Sequence, residues 1–334
     1  MTRTDNDRTE TSLKAIPLFA NIEPDLEAVV AKMRQAAEVE FATLGEAMSY
    51  LVDGRGKLMR PALVILASQV WGANQDAMIS MAAAVETLHT ATLVHDDMID
   101  RSLLRRGNPT LNAILTPGAV VLIGDYLFAQ SAAWAAETNN VRVMSIFAKT
   151  LMVICDGELR QMLSSRDWQR SRRNYTQRIY AKTASLFAAA TEAGAVLSSA
   201  PEEAIRALRT YGEKLGLAFQ IVDDLLDFDG DEETLGKPVG SDLRQGNITL
   251  PVIYYLEAHP ANSLGERIMS DQELTDDEVQ AVVSAVRRSS SLDRSLADAV
   301  RYAKEAQQAL KVLPAQENRE IMHALADYAV LRRR

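Results

Sequence analysis

The chain has 334 residues, 47% of them hydrophobic, a formal net charge of −9 and one cysteine. The acidic balance excludes nucleic acid as a natural partner, since such binding relies on Lys and Arg to replace counterions. A lone cysteine excludes an internal disulfide framework and suits a reducing, cytoplasmic compartment, where Cys155 reads as a small buried apolar residue. Few Gly and Pro interrupt long Ala- and Leu-rich stretches, so the composition favours helices.

Residues 1–22 read as a loosely attached, disordered polar tail, and residues 23–334 as one catalytic domain. No uninterrupted apolar run reaches the roughly eighteen residues of a membrane span, which predicts a soluble chain with no transmembrane segment. From Glu23 to about Tyr50, Leu26, Val29, Val30, Met33, Ala37 and Leu44 recur at helical spacing. The turn Asp53-Gly54-Arg55-Gly56-Lys57-Leu58-Met59-Arg60-Pro61 follows, with Pro61 opening the next helix and Lys57 and Arg60 at its start, a place that favours an anion.

The helix through Met78 to Asp100 ends in Asp96-Asp97-Met98-Ile99-Asp100. At about 100° per residue, Asp96 and Asp100 fall about 40° and one turn apart, so both carboxylates share a face. His89 lies about 20° off that face, two turns earlier, which makes it a candidate substrate contact rather than a core histidine. Asp223-Asp224-Leu225-Leu226-Asp227 repeats the arrangement in the other half. Clustered carboxylates repel one another unless a cation sits there. Hard oxygen ligands without Cys or His point to Mg²⁺, which takes few protein carboxylates and bridges to phosphates. A calcium loop starting at Asp227 fails, because Glu232 stands where Gly is required and Pro238 where the last Glu belongs. We read two facing magnesium clamps for a diphosphate.

Arg105-Arg106-Gly107-Asn108-Pro109-Thr110 breaks the chain after the first clamp, with two guanidinium forks suited to phosphate oxygens. Helices continue through Gly124–Gln130 and Phe147–Met162. Residues 164–173 read as a loop, and the next helix brings Lys182 and Thr183 into a small apolar run. The Gly-rich stretch from Gly236 to Pro251 is long for a connection, as functional loops often are. Thr275 and Glu278 form a capping-box pattern before Val279, Val282, Val283 and Val286.

With both motifs and the flanking bases placed, the chain resembles the trans-isoprenyl diphosphate synthase (polyprenyl synthetase) family from about residue 25 to its end. The resemblance implies an all-α single domain with helices around a deep central cavity, usually a homodimer. It implies head-to-tail condensation of isopentenyl diphosphate onto an allylic diphosphate, with three Mg²⁺ per active site and a product handed to the membrane. Residue by residue it makes Asp96, Asp97, Asp100, Asp223 and Asp227 the metal ligands and gives Asp224 a supporting role. Lys57, Arg60, His89 and Arg106 would form the isopentenyl diphosphate pocket, and Arg105, Lys182 and Lys237 would hold the allylic diphosphate. Thr183 and Gln220 would face the developing cation. Leu58 stands where the family has a basic residue, and Asn247 where it has a lysine.

Ala91 and Thr92 stand where short-product relatives place aromatics. Ala91 lies about 7.5 Å below Asp96 along the helix, so a growing chain could pass toward Leu88 and the helix with Ile123, Tyr126 and Leu127. That favours a hexaprenyl to decaprenyl product of the kind used for quinone side chains, with geranylgeranyl diphosphate as the alternative. A class I terpene cyclase shares the fold but needs no isopentenyl pocket and lacks a second DDxxD. A non-catalytic subunit of a heteromeric synthase would have lost the aspartates.

Overall fold

Apolar periodicity becomes helix almost throughout the computed structural model, which describes residues 17–54, 56–105, 107–164, 170–229, 239–260, 263–270 and 272–332. In order the helices are α1 (Glu23–Gln35), α2 (Ala42–Asp53), α3 (Met59–Gln69), α4 (Gln75–Ile99), α5 (Leu111–Ile114), α6 (Pro117–Glu137), α7 (Val141–Leu163), α8 (Arg172–Ile179), α9 (Ser185–Leu197) and α10 (Glu202–Asp229). There follow α11 (Ser241–Arg244), α12 (Leu250–Ala258), α13 (Ser263–Ile268), α14 (Asp276–Arg288), α15 (Ser291–Ala309) and α16 (Glu317–Leu331). One two-residue hairpin, β1 (Leu104–Arg105) against β2 (Asn108–Pro109), supplies the strand content of the described residues.

Three apolar clusters hold these elements. The largest joins α1, α3, the buried run of α4, α9, the first half of α10, α15 and α16. Helix α9 is buried nearly all round, as its Ala-rich sequence without charges before Glu192 allows. A second cluster wraps the last turns of α10 with α8, α12 and the valines of α14, whose capping box forms between Thr275 and Glu278 as predicted. A third lies between α2, α4 and α6. The cavity opens where the C-terminal ends of α4 and α10 meet.

Three expectations change. The segment from Glu23 to Tyr50 is two helices, because the chain turns back at residues 36–41; Gly45 then sits so close to Ala37 that a Cβ would lie 2.8 Å from its carbonyl oxygen. The described part of the stretch read as a loose tail, Pro17–Ile22, is a 3₁₀ turn with Phe19 and Ile22 in the core. Cys155 is exposed, not buried, on the outer face of α7. Helices α4 and α6 are each long and apolar enough to cross a membrane by length and composition. Helix α4 is a core helix, whereas α6 packs one face on α4 and leaves Leu122 69% exposed on the other.

Candidate active site

Both aspartate motifs reach one cavity of about 200 Å³, but each presents a different part of itself. From α4 come Leu93, Asp96 and Asp100, one face at helical spacing. Asp97 points elsewhere, into a buried position where it accepts from Arg105 Nε (3.0 and 3.1 Å) and Nη2 (2.8 Å). Partial burial raises the Asp100 carboxyl although the residue reaches solvent, and Asp96 and Asp97 raise it further against Lys182 and Arg105.

From α10 the cavity receives Gln220 and Asp224. Thr183 Oγ1 donates to Gln220 Oε1 (2.6 Å), Gln220 Nε2 donates to Asp224 Oδ1 (2.8 Å), and Tyr175 donates to Asp224 Oδ2 (2.7 Å). Burial pushes the Asp224 carboxyl up to about 7, with Asp242 adding repulsion. Burial and the adjacent Asp224 also hold the Tyr175 phenol well above its ordinary value. Asp223 lies at the edge, paired with Arg332 Nη1 at 2.7 Å. Asp227 is fully buried and accepts the Asp242 N–H at 3.1 Å, while its carbonyl accepts the Gly240 N–H at 2.9 Å. It therefore fastens the returning loop to α10.

Lys182 stands on a π-helical turn, Tyr180–Ala184, between α8 and α9. Such an insertion re-aims side chains and is common at functional sites. Its ammonium meets Glu158 Oε1 at 2.9 Å and Asp96 Oδ2 at 3.1 Å. Burial pulls this ammonium down, but the two carboxylates outweigh it and leave it above its usual value. The approach depends on Gly157, where a Cβ would lie 2.3 Å from that of Ala181.

Around the rim, Lys57 donates to the Tyr328 hydroxyl at 2.8 Å, and the Arg60 guanidinium lies 4.9 Å from the centre of the Phe187 ring. Leu58 is buried in a left-handed conformation before α3, so this replacement of a base belongs to the core. His89 is half-buried on α4 and is not among the residues that line the cavity. Arg106 and Lys237 lie outside the described residues. Ala91 is fully buried with Ile123 and Leu127 of α6, and Leu88 lies in the main core. Thr92 turns its hydroxyl back to the His89 carbonyl at 2.7 Å.

Several residues at the cavity carried no assigned role in the sequence. Asp242, Tyr175 and Arg178 surround Asp224, Asn247 accepts from Gln161 Nε2 (3.2 Å), and Glu158 holds Lys182. No local pattern singled them out, and Glu158 shares its stretch of α7 with the charges of Asp156 and Arg160.

No three acids or histidines converge on one point among the described residues. The donors are instead hard oxygens divided between two walls, Asp96 and Asp100 against Asp224 and Asp242. That division fits divalent cations that each take few protein carboxylates and share a diphosphate. It does not fit a closed protein cage.

Residues 41–286 match the polyprenyl synthetase family. Heptaprenyl diphosphate synthase component 2 of Geobacillus stearothermophilus is 39% identical over 316 residues, covering 95% of this chain and 98% of that one. Among solved structures, a polyprenyl synthase from Caulobacter crescentus, complexed with calcium and isoprenyl diphosphate, aligns over 100% of both chains with a TM-score of 0.89 and 38% identity. A decaprenyl diphosphate synthase from Rhodobacter capsulatus gives 0.88 and 36%, covering 95% of this chain and 98% of the other.

Proposed function

The chain belongs to the polyprenyl synthetase family and is a prenyltransferase; we propose that it adds isopentenyl diphosphate head-to-tail to an allylic diphosphate, making a long all-trans polyprenyl diphosphate. The observation that carries this reading is the pairing of two acidic walls across a cavity that also holds Lys182 and the Thr183–Gln220 pair.

Each group has a task that its chemistry suits. Asp96 and Asp100 on one wall, with Asp223 and Asp224 on or beside the other, would hold Mg²⁺, three ions by family resemblance. When bound, the metal supplies positive charge to the departing diphosphate. Lys182, held beside the acidic wall by Glu158 and Asp96, contributes a cation at the same place, which adds to the neutralisation of charge as the allylic C–O bond breaks. The Thr183 hydroxyl and Gln220 amide would present oxygen to the allylic carbon. The isopentenyl double bond then forms the new C–C bond, and the departing diphosphate accepts the proton released from the adjacent carbon. Lys57, Arg60, His89 and Arg106 would hold the isopentenyl diphosphate.

Length of product follows from the small side chain at Ala91, whose neighbours are the apolar residues of α6. The likeness to the Geobacillus heptaprenyl diphosphate synthase component 2 and to the Rhodobacter decaprenyl diphosphate synthase supports a long product. The test is incubation with farnesyl diphosphate, labelled isopentenyl diphosphate and Mg²⁺, followed by chain-length analysis. Products of six or more isoprene units are expected; a stop at four would make the chain a geranylgeranyl synthase. Ala91→Phe should shorten the product by at least one unit, and an unchanged ladder would place the floor elsewhere.

A second copy of the chain is the partner we favour. The outer faces of α6 and α7 leave Leu122, Met152, Leu159 and Leu163 58–83% exposed, an apolar area of the kind that marks an interface. Light scattering should give a dimer mass, and Met152→Glu with Leu159→Glu should yield monomers. A cytoplasmic location fits the exposed Cys155 thiol, which a reducing compartment would preserve.

A further inference from the structure

Glu158 comes from α7, outside both aspartate motifs, yet its carboxylate approaches Lys182 more closely than Asp96 does, at 2.9 Å against 3.1 Å. The backbone is shaped to permit this. Gly157 lets α7 approach Ala181, and the π-helical turn carries Lys182 across to it. Glu158 also feels Asp96 and Asp100 as repelling neighbours, so a third carboxylate beside the first motif is unfavourable by itself. The single ammonium between the acids offsets that repulsion.

A divalent cation at Asp96 changes the balance. The Lys182 ammonium and the incoming ion are like charges competing for the same carboxylate, so Lys182 must yield Asp96. Glu158 can keep it.

We propose that Glu158 is the positioning residue for Lys182: it retains the ammonium when a divalent cation takes Asp96, and holds it at the cavity for the diphosphate. This rests on the proposed placement of Mg²⁺ at the first aspartate motif. Without Glu158, Lys182 closes fully on Asp96 in the empty enzyme and opposes metal loading. When the site is loaded, the lysine is no longer anchored.

A double-mutant cycle distinguishes this role from that of a metal ligand, because a positioning residue acts only through Lys182. Calorimetric titration of the full chain with Mg²⁺ in the presence of inorganic pyrophosphate provides a readout independent of turnover. Glu158→Gln, nearly isosteric and partly exposed, should weaken that binding roughly tenfold. In a Lys182→Met background the same substitution should change it less than twofold. Glu158→Asp, which keeps the charge on a shorter arm, should recover part of the loss. In steady-state assays Glu158→Gln should raise KM for the allylic diphosphate more than it lowers kcat. Equal weakening in both backgrounds would make Glu158 a direct cation ligand and overturn the proposal, as would no weakening in the native background. Failure of the native chain to bind Mg²⁺ with pyrophosphate would instead remove the underlying site reading. Matching circular dichroism melts for all variants would tie the differences to the site.

Discussion

The two aspartate motifs have the same spacing and different fates. At the end of α4 the outer pair, Asp96 and Asp100, faces the cavity and the middle Asp97 is clamped by Arg105. At the end of α10 the middle Asp224 faces the cavity, Asp223 is held at the edge by Arg332, and Asp227 is sealed inside the loop junction. Helical spacing decides which carboxylates share a face, but packing of the whole helix decides which face meets the cavity. The same five-residue pattern therefore builds a metal-facing wall in one half and, in the other, a mixed element that is part wall and part fastening.

Truncating one acid from each motif would break this comparison most sharply. Asp96→Ala should lower kcat on the order of 10³-fold, the effect of losing a principal electrostatic contact at the reacting diphosphate. Its melting temperature should stay near that of the native chain, since Asp96 is repelled by its neighbours and is tied only to the movable Lys182. Asp227→Ala should instead unfold readily, costing roughly 2–4 kcal/mol, because it leaves a buried void and strips the Asp242 N–H of its acceptor. Activity assays with thermal melts of both variants would check this. A stable Asp227→Ala chain that fails to turn over would return Asp227 to the metal set.

How much of this was legible depended on the range of the interaction. Local periodicity exposed the helices, the shared face of Asp96 and Asp100, and the capping box at Thr275, because each depends on residues three or four apart. The nearness of Thr183 to Gln220 across 37 positions came from family resemblance, and the structure brings them to 2.6 Å. Glu158, Tyr175 and Asp242 acquire their meaning only through partners on other helices, so no local pattern marks them. Cys155 misled for a related reason: an apolar stretch of α7 reads as core, whereas the isolated chain leaves one stripe of it uncovered.

Acidity sharpens the contrast at the middle position. Asp224 is buried and raised to about 7, so the folded, metal-free protein retains a proton that the unfolded chain releases near pH 4. Raising the pH between those values therefore favours the unfolded state, and the Asp224 contribution to stability declines from about pH 4 to about pH 7. Asp224→Asn keeps the shape and can still accept from Tyr175 without carrying the charge. With metal chelated, its melting temperature relative to the native chain should climb by roughly 5 °C across that window. Parallel pH profiles for the two proteins would show that Asp224 ionises at an ordinary value.

The smallest effect concerns the edge aspartate. Arg332 pairs with Asp223, donates to the Phe219 and Ala329 carbonyls, and lies 3.6 Å from the centre of the Phe219 ring, so the end of the chain is fastened to α10 at several points. Arg332→Ala should cost only about 1 kcal/mol, the scale of one cation–π contact and one partly exposed ion pair. Its consequence for the cation is opposite in sign. A guanidinium 2.7 Å from the Asp223 carboxylate repels any divalent ion that carboxylate binds, so removing it should lower the Mg²⁺ concentration for half-maximal activity by about two- to threefold. Asp97 offers the internal control, because Arg105, eight residues on, pairs with it and holds it away from the cavity face. Arg105→Ala should therefore loosen the β1–β2 hairpin and raise KM for the allylic diphosphate without easing the metal requirement. If Arg332→Ala leaves the Mg²⁺ dependence unchanged, Asp223 does not bind the ion, and the second wall consists of Asp224 and Asp242.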